Sequence, residues 1–401
     1  MKVAIFGMGT VGSGVVKVLQ GYLSRQEALK TPSALRLTHV FANEIRDKSL
    51  DLTGVSITND IEEIFQAQPD VIVEVLGGVD LAYQVHQKAL AQGIHVVTAN
   101  KDLLALHMDH LMALGNQHHA QVHYEAACGG GIPIVGPLQY DLVANQITEI
   151  KGILNGTSNY ILTRMTQEGV TYEEVLAQAQ ALGYAEKDPT NDVQGYDACR
   201  KLAILSRLAY LGAVDYQAIH TRGIDQVQGI DLRLASQKGY TLKLIAWSRF
   251  EGESLAMSVE PVLLPHAHLL SHIHMAKNAV YVQGSAVGQA MFYGPGAGSL
   301  ETASAVVSDL IDLEKVGYRG NLQVGKSYPI TKAQHDRAYY LRPQANQIQA
   351  LENLLTHMAV GFETVSEVDN KAVFTQAISP QDIQAIQAQI SLAAWYPVEV
   401  D

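Results

Sequence analysis

Residues 2–19 read KVAIFGMGTVGSGVVKVL, and this stretch decides how the first part of the chain folds. The apolar run Lys2–Phe6 ends at a glycine, and from Val11 to Leu19 apolar residues recur at the spacing of one helix face. The stretch therefore predicts a strand, a tight turn and a helix, which together open a β-α-β unit.

The alternation of strands and helices continues over the next hundred residues. Apolar runs end at Asn43, at Leu76 and near Thr98, and helix-compatible stretches lie between them at Ile61–Ala67 and Leu81–Ala91. Strands that alternate with helices form a parallel sheet covered on both faces. The sequence therefore predicts an α/β fold that begins with a doubly wound Rossmann sheet.

The turn Gly7-Met8-Gly9-Thr10-Val11-Gly12 fits the pattern G-x-G-x-x-G between a strand and a helix. Glycine permits the tight turn, the close approach of a pyrophosphate and the close packing of the helix on the sheet. The N–H groups at the start of the helix would hold the anion. Many unrelated proteins share the pattern, but its place in a β-α-β unit indicates a dinucleotide-binding domain.

The end of the second strand bears on which dinucleotide binds. An acidic residue there accepts a hydrogen bond from the ribose 2′-hydroxyl of NAD, whereas a basic residue meets the 2′-phosphate of NADP. Glu44 favours NAD, and Arg46 or Lys48 favours NADP. Each of the three can equally be a solvated loop charge, so the residues leave both cofactors open.

The pattern changes near Cys128, where the run Gly129–Pro133 interrupts any regular element. We therefore place the end of the Rossmann domain at residue 128. Residues 129–300 mix strands with amphipathic helices in an α+β pattern, and we expect a substrate-binding, catalytic and dimerisation domain there. A helix at about residues 301–320 returns to the first domain, and residues 335–401 form a small module of β-α-β-β-α-β order. The first helix of this module is predicted at Ala345–His357.

The composition of the 401 residues is ordinary for a soluble protein of two or three domains, with 47% hydrophobic and 17% charged residues. The formal net charge of -12 disfavours nucleic acid or an anionic membrane as a partner, because those surfaces require clustered Lys and Arg. Cys128 and Cys199 are too few for a disulfide framework, and Met1 leads directly into an apolar strand. We therefore expect a soluble, cytoplasmic protein.

Two lysines are candidates for the chemistry. Lys101 follows an apolar run, at the edge where open α/β sheets bind their ligands. Asp197 and Lys201 stand four residues apart on a helix that continues into the apolar run Leu202–Leu205. A lysine held by a carboxylate in a partly buried cleft suits proton transfer. The plain alternative for each is a solvated charge or a surface ion pair.

The histidines give little support to a metal site. Zinc needs three or four converging ligands, and these clusters lie in predicted amphipathic or loop segments without cysteine partners. We expect solvated histidines, with zinc catalysis as a minor alternative. The clusters consist of His107, His110, His118, His119 and His123, and of His266, His268, His272 and His274.

Taken together, these stretches resemble homoserine dehydrogenases over about residues 1–320. Two segments are more specific than the glycine turn: Asn155-Gly156-Thr157, and the run Glu186-Lys187-Asp188-Pro189. The resemblance implies an NAD(P)-dependent enzyme that interconverts L-aspartate 4-semialdehyde and L-homoserine in threonine and methionine biosynthesis, and a homodimer or higher homo-oligomer. The other matching segments are Thr98–Lys101, Tyr124–Pro133, Gly152–Leu162, Gly183–Lys201 and Gly294–Leu310.

The resemblance also implies roles for individual residues. Lys201 donates the proton to the nascent alkoxide, and Lys101 contacts cofactor and substrate. Glu186 binds the substrate amino group, and Asp197 binds or orients the substrate beside Lys201. Two further residues, Asp192 and Thr157, help to hold the amino-acid end. The residues that approach the cofactor are Gly7, Gly9, Thr10, Val11, Gly12, Gly77, Lys101, Gly183 and Gly298.

A structural monovalent-cation site, built from a carboxylate and backbone carbonyls, is a further property of the family. By the resemblance it falls on Glu125, Cys128, Gly130 and Ile132. Hard oxygen ligands of this kind suit Na⁺. The family usually has valine where this chain has Cys128, which matters little if the ligand is the backbone carbonyl. Ser158 stands where a threonine is common, which is a mild change.

The C-terminal module resembles an ACT domain, a small amino-acid-sensing module often attached to this family. In ACT domains the first strand runs into a loop with Asp and Pro-Gly, whose backbone amides can cradle an effector. The equivalent stretch here, Pro343–Ile348, contains no glycine. A loop without glycine loses the freedom of positive φ, so we expect a packing or dimerisation element and weak or absent inhibition by L-threonine.

Two other functions stay open on the sequence. One is a different dinucleotide-dependent oxidoreductase on the same architecture, such as an amino-acid dehydrogenase that acts on another carbonyl. The other is a non-catalytic sensor that binds a dinucleotide and an amino acid. The presence of both lysines and both carboxylates argues against the sensor.

Overall fold

The computed structural model describes residues 1–183 and 185–400, and the chain forms two compact units. Tyr184, within the acidic segment quoted above, and Asp401, at the end of the C-terminal module, lie outside the described residues. The predicted division into three domains stays a prediction. The first unit comprises Met1–Gln146, Ala203–Asp215 and Phe292–Ser327, and the second comprises Ile147–Leu202, Tyr216–Met291 and Tyr328–Asp401.

The first unit is built on a six-stranded sheet in which every neighbouring pair is parallel. The strand order is β3-β2-β1-β4-β5-β6, so the direction of the connections reverses between β1 and β4. Ligands of open α/β sheets bind beyond the carboxyl ends of the strands at such a reversal. The predicted Rossmann sheet is thereby confirmed. Its elements are β1 (Lys2–Phe6), α1 (Thr10–Ala28), β2 (Arg36–Phe41), β3 (Ser56–Thr58), α2 (Ile61–Gln66), β4 (Val71–Glu74), α3 (Asp80–Ala91), β5 (His95–Thr98), α4 (Lys101–Gln117) and β6 (Val122–His123).

The core of this sheet follows from the apolar pattern of its strands and helices. Val3 and Ile5 of β1 are completely buried against Val15 of α1. A later helix, α10 (Ser299–Val316), contributes Val306 and Leu310 to the same core. Burial on both faces explains why the strands read as continuous apolar runs rather than as alternating ones.

The second unit carries a sheet that mixes parallel and antiparallel strand pairs. The strand order is β12-β11-β7-β9-β10-β17-β14-β16-β15, with β8 and β13 beside β10. The elements that begin in this unit are β7 (Ile147–Ile153), α5 (Gly156–Glu168), α6 (Tyr172–Ala181), α7 (Thr190–Val193), α8 (Tyr196–Tyr210), β8 (His220–Thr221), α9 (Gly229–Gln237), β9 (Tyr240–Glu251), β10 (Ser254–Pro265), β11 (Lys277–Gly284), β12 (Gly288–Pro295), β13 (Ile330–Thr331), β14 (Ala338–Pro343), α11 (Ile348–His357), β15 (Phe362–Glu367), β16 (Asn370–Thr375), α12 (Pro380–Gln389) and β17 (Leu392–Val398).

The C-terminal strands and helices have the predicted β-α-β-β-α-β order, and their strands continue the sheet rather than forming a sheet of their own. Strand β17 pairs in parallel with β10 through Leu263 and Val398. Strand β14 pairs antiparallel with β17 along its length. The two sets of strands are therefore joined by backbone hydrogen bonds.

A buried ion pair fixes the C-terminal strands on α9. Arg342 of β14 donates to both carboxylate oxygens of Asp231, at 2.6 and 2.9 Å, and the Tyr340 hydroxyl donates to Oδ1 at 2.8 Å. Only 1% of Asp231 is exposed. A bidentate arginine and a hydroxyl satisfy a carboxylate that would otherwise be strongly destabilising when buried. The expected role of the module as a packing or dimerisation element stays a prediction.

The loop after β14 differs from its prediction. The sequence predicts a helix from Ala345, but α11 begins at Ile348 because the preceding residues form a turn in which Gln347 N–H donates to the Gln344 carbonyl at 3.1 Å. Asn346 has a φ of 71°, so asparagine supplies the left-handed conformation for which we had considered only glycine. Asparagine is one of the few other residues that adopts it readily.

Lys243 is an unusual member of the second unit because it is only 1% exposed in the middle of β9. Its Nζ donates to Oδ1 of Asn159 at 3.0 Å and to the Ile273 carbonyl at 2.5 Å. Burial disfavours the charged ammonium and lowers the pKa of Lys243 to about 7. The unfolded chain thus binds a proton between about pH 7 and pH 10.5 that the folded protein does not bind.

Lys243→Met should remove a pH dependence of stability. A group whose pKa is lowered by folding makes the protein more stable as pH rises from the folded to the unfolded pKa, here by about 1.4 kcal/mol per pH unit. Urea unfolding at several pH values between about 7.5 and 9.5 gives the unfolding free energy as a function of pH. The slope of this free energy against pH should be smaller by this amount in the variant. Lys277→Met, at an exposed position on β11, should keep the slope of the unmodified protein. Equal slopes for Lys243→Met and the unmodified protein would show that Lys243 stays protonated.

Candidate active site

The glycine turn between β1 and α1 is shaped by close backbone contacts. A Cβ on Gly7, whose φ is +106°, would lie 2.7 Å from the Val75 carbonyl oxygen, and one on Gly12 would lie 2.0 Å from the Gly7 oxygen. A Cβ on Gly9, in contrast, meets nothing within 4 Å. Two glycines are therefore needed for the turn and its packing, and the third leaves open space above the start of the helix.

The N-terminus of α1 suits an anion in this space. Thr10 and Val11 begin the helix, and its first turn contains no acidic residue. Gly9 is the N-cap and offers no side chain to the first N–H groups of the helix. Because these N–H groups carry a partial positive charge, the turn fits a pyrophosphate.

Two loops at the carboxyl ends of β4 and β5 border the same edge of the sheet. After β4, a Cβ on Gly77 would meet nothing within 4 Å, and Gly78 has a φ of +82°. After β5, Asn100 caps α4 by accepting from Leu103 N–H at 3.0 Å, and its amide nitrogen donates to the Gly78 carbonyl at 2.8 Å. Lys101 is the first residue of α4 and is half-buried, not a solvated loop residue.

The two other glycines expected near the cofactor lie in different units. Gly298, in the first unit, precedes α10 with a φ of +139°, and a Cβ there would lie 2.1 Å from Oε2 of Glu301. Gly183, in the second unit, has a φ of +77°, and a Cβ there would meet nothing within 4 Å. Both positions require glycine by conformation.

The end of β2 presents mostly exposed polar side chains. Asn43, Glu44, Arg46 and Lys48 are all exposed. Asp47 pairs with Lys17 at 2.6 Å and accepts from Ser49, and these contacts hold the pKa of Asp47 well below its usual range. The carboxylate of Asp47 is thus partly neutralised within the loop.

The acidic segment and the Asn-Gly-Thr segment meet in the second unit. Lys201 Nζ donates to Oδ2 of Asp197 at 2.7 Å and to the Leu154 carbonyl at 2.9 Å. Lys201 is 9% exposed and Asp197 is 6% exposed. The pair is therefore not the solvated ion pair that its spacing permits. Two fixed acceptors set the orientation of the Lys201 ammonium.

Asn155 connects this pair to a second carboxylate. Its amide nitrogen donates to Oδ2 of Asp197 at 2.9 Å and to Oδ1 of Asp192 at 2.7 Å. Its amide oxygen caps α5 by accepting from Ser158 N–H at 2.8 Å. The sequence analysis assigned no role to Asn155, although an asparagine before Gly-Thr-Ser is a recognisable helix N-cap.

Two carboxylates face one ammonium in this group, so the site holds a surplus of negative charge. Burial and the neighbouring Asp197 raise the pKa of Asp192, and hydrogen bonds from Asn155 and Thr157 counteract them. A ligand cation beside Asp192 would relieve this repulsion. The group can therefore hold a ligand ammonium and, through Lys201, move a proton.

Glu186 lies outside this hydrogen-bond network. It is exposed, and its backbone carbonyl accepts from Gln180 at 3.0 Å. Within residues 1–183 and 185–400, no hydrogen bond or ion pair of its carboxylate connects it to Lys201 or Asp197. The resemblance assigns Glu186 to the substrate amino group, and in the structure the residues joined by hydrogen bonds are Asn155, Asp192 and Asp197.

The turn predicted to hold a monovalent cation is tightly organised. The Glu125 carboxylate accepts from the N–H groups of Ile134, Val135 and Gly136 at 2.6, 2.8 and 2.7 Å. A carboxylate offers about four acceptor positions, so three are occupied. Gly130 has a φ of +57°, and a Cβ there would lie 2.5 Å from the Gly296 carbonyl oxygen. The Glu125 carboxylate and the backbone of this turn are therefore held in one fixed arrangement.

The histidines are not uniformly solvated as predicted. His123, the last residue of β6, is 8% exposed and lies 3.9 Å from the Asp309 carboxylate, and burial lowers the pKa of His123 to about 4. The ring of His107 stacks on Tyr83 with centroids 4.0 Å apart, and His110 hydrogen-bonds the Tyr83 hydroxyl. In the part of the chain that the structure describes, no three His, Cys, Asp or Glu side chains converge as metal ligands. Nor does any described helix have the length and apolar character needed to cross a membrane.

Comparisons with known proteins match nearly the whole chain. Residues 7–125 match the family model described as homoserine dehydrogenase, NAD binding domain, and residues 133–311 match that of homoserine dehydrogenase. The chain is 39% identical to the homoserine dehydrogenase of Bacillus subtilis over 92% of this chain and 88% of the relative. It is 36% identical to that of Lactococcus lactis over 91% and 88%.

Solved structures agree with these matches. A homoserine dehydrogenase from Thiobacillus denitrificans superposes with a TM-score of 0.90 at 32% identity, covering 100% of this chain and 98% of that one. A hyperthermophilic archaeal homoserine dehydrogenase in complex with NADPH superposes with a TM-score of 0.67 at 27% identity, covering 80% and 99%.

Proposed function

The chain belongs to the homoserine dehydrogenase family, and on this basis we propose how its own residues carry out the reaction. It is an NAD(P)-dependent oxidoreductase that interconverts L-aspartate 4-semialdehyde and L-homoserine. The observation that carries the assignment of roles is the hydrogen-bonded group of buried Asn155, Asp197 and Lys201 with half-buried Asp192. It combines a site for the substrate ammonium with a fixed proton donor.

Lys201 is the proton-transfer residue of this proposal. In the direction of reduction it protonates the aldehyde oxygen, and in the direction of oxidation it removes the hydroxyl proton of homoserine. The bound dinucleotide supplies or accepts the hydride. Negative charge develops on the substrate oxygen during reduction, so an ammonium oriented by Asp197 and the Leu154 carbonyl stabilises the transition state more than the ground state.

Asp192 and Asp197 hold the amino-acid end of the substrate. Their surplus negative charge favours an ammonium, and Asn155 keeps the two carboxylates at a fixed separation. Thr157 supports Asp192 through its hydroxyl. Glu186, exposed at the edge of the acidic segment, adds a further carboxylate for the substrate amino group. Lys101 contacts the cofactor and the substrate from the start of α4.

The dinucleotide is held by Gly7, Gly9, Gly12 and the first residues of α1, where open space meets helix N–H groups. We propose NADP as the preferred form. Exposed Arg46 and Lys48 suit a 2′-phosphate, and Lys17 partly neutralises the intervening Asp47. The NADPH complex of the archaeal relative supports this choice.

A monovalent cation such as Na⁺ would stabilise the turn after β6 without taking part in the reaction. The Glu125 carboxylate and the backbone carbonyls of Cys128, Gly130 and Ile132 would hold it, as the resemblance implies. We further propose a cytoplasmic homodimer that serves threonine and methionine biosynthesis. Weak or absent inhibition by L-threonine stays a prediction.

Lys201→Met should lower kcat for homoserine oxidation by about 10²–10⁴-fold, the usual contribution of general acid–base catalysis, with little change in dinucleotide affinity. Steady-state kinetics and titration with NADPH measure the two effects separately. Lys238→Met, at a partly exposed position in the same unit, should keep kcat within about twofold. Near-normal kcat in Lys201→Met would remove Lys201 from the mechanism.

In the same assay, Glu186→Gln should raise the KM for homoserine far more than the KM for the dinucleotide.

Replacing both Arg46 and Lys48 by glutamine should raise the KM for NADP by about 10-fold or more and leave the KM for NAD unchanged, because only NADP carries the 2′-phosphate. The measurement is homoserine oxidation with each dinucleotide. Arg36→Gln, exposed at the opposite end of β2, is the control and should affect neither KM. An unchanged KM for NADP in the double variant would assign the 2′ position to Asn43 and Glu44 instead.

A further inference from the structure

The carboxyl end of β4 carries a buried carboxylate that the proposed mechanism does not use. Glu74, the last residue of β4, is completely buried, and so are Thr98 at the end of β5 and His86 on α3. The adjoining positions Ile72 and Val73 are apolar and equally buried. Burying a carboxylate among them is unfavourable, so a requirement other than packing explains its presence.

Glu74 accepts hydrogen bonds from three different segments. Its Oε1 accepts from Leu76 N–H at 2.8 Å, in the loop that follows β4. Its Oε2 accepts from the Thr98 hydroxyl at 2.7 Å and from Nε2 of His86 at 3.0 Å. One carboxylate therefore joins the ends of two neighbouring strands to the helix between them.

The connection continues into the loop that follows β5. Thr98 Oγ1 accepts from Asn100 N–H at 2.9 Å, so the same hydroxyl that donates to Glu74 also holds Asn100. Asn100 in turn donates to the Gly78 carbonyl and caps α4, whose first residue is Lys101. A closed path of hydrogen bonds thus runs from Glu74 through Thr98 and Asn100 back to the β4 loop.

These two loops are the ones that border the glycine turn and carry Gly77 and Lys101. The Val75 carbonyl lies against Gly7 so closely that a Cβ on Gly7 would be 2.7 Å away. A shift of the β4 loop would therefore change the shape of the dinucleotide turn as well. The chain thus contains one buried group whose contacts define both loops at the sheet edge where such folds bind ligands.

We propose that Glu74 is a positioning residue for the dinucleotide, acting through Thr98 and Asn100 on the loops that carry Gly77 and Lys101. Glu74 lies within the sheet and contacts neither the substrate nor the reacting atoms. Its role is to hold both loops in the binding geometry before the dinucleotide arrives, which reduces the ordering required on binding. The inference rests on the proposed assignment of these loops to the dinucleotide.

The Thr98 hydroxyl offers the sharpest test because it can be removed without changing the size of the side chain. Thr98→Val deletes the hydroxyl that joins Glu74 to Asn100, whereas Thr98→Ser retains it. Titration of the full-length protein with NADPH should show a Kd raised by about tenfold for Thr98→Val and by less than about twofold for Thr98→Ser. The KM for homoserine at saturating NADP should rise less than the Kd for NADPH in both, because Lys101 is the one group of these loops that the proposed function places against the substrate.

A matched control exists on the same sheet. Thr58, at the end of β3, donates to Oε2 of Glu63 at 2.7 Å and accepts from Asp60 N–H at 3.0 Å, which repeats the pattern of Thr98 away from the two loops. Thr58→Val should leave the Kd for NADPH within about twofold.

Each outcome has a definite meaning. Three results would overturn the proposal: an unchanged Kd for NADPH in Thr98→Val, an equal rise of the Kd in Thr98→Ser, or an equal rise in Thr58→Val. In each case the missing Thr98 hydroxyl would not be the cause of weaker NADPH binding. Failure of the unmodified protein to bind NADPH would instead contradict the proposed function of the domain, so the two failures are distinguishable. Circular dichroism melting of all three variants identifies any that is misfolded. In that case Glu74→Gln serves as the second variant, because it places an amide donor against the donors of Thr98 and His86. The same rise in the Kd for NADPH is expected.

Discussion

The proposed reaction depends on one side-chain amide shared by two carboxylates. Asn155 donates to Asp192 and to Asp197, and its oxygen caps α5 at the same time. Without this donor the two carboxylates would repel each other in a site with little water, and Lys201 would lose its fixed orientation. The start of α5, the turn before α8 and the proton-transfer residue are therefore held together by a single uncharged group.

The first unit is proposed to bind a dinucleotide, which is a polyanion, although the chain has a net charge of -12. In the proposed binding mode, backbone N–H groups hold the pyrophosphate, and Arg46, Lys48 and Lys101 add side-chain contacts. Glycine at positions 7, 9 and 12 brings the helix N-terminus close to open space, and a first turn without acidic residues keeps its partial positive charge effective. Local backbone dipoles thereby outweigh the overall charge, since screening limits distant surface charges to a range of about 8–10 Å.

Most of the fold follows from sequence patterns because local signals and global architecture agree. The glycine turn, the apolar runs and their spacing predicted the Rossmann sheet, and the β-α-β-β-α-β order of the C-terminal strands was visible in the same way. The pairing of β17 with β10 was not predictable, because strand pairing across more than a hundred residues leaves no local signal. The start of α11 was misplaced for a local reason, since Asn346 adopted a conformation that we had assigned to glycine alone.

The site was predictable in part. The spacing of Asp197 and Lys201 indicated a helical pair, and the apolar run Leu202–Leu205 indicated that its helix is buried, as the structure confirms. The hydrogen bond from Lys201 to the Leu154 carbonyl is visible only in the structure. The role of Asn155 was missed because its partners lie 37 and 42 residues away.

The most direct test of this account is the effect of Asn155→Asp on kcat/KM for homoserine, with the Kd for NADPH as reference. Aspartate keeps the size of the side chain and the oxygen that caps α5, and it replaces the donor that both carboxylates share with a third acceptor. The account predicts that kcat/KM falls by about 10²-fold or more, because misplaced catalytic groups reduce rates by that order, while the Kd for NADPH stays within about twofold. A kcat/KM within about twofold of the unmodified protein would contradict it.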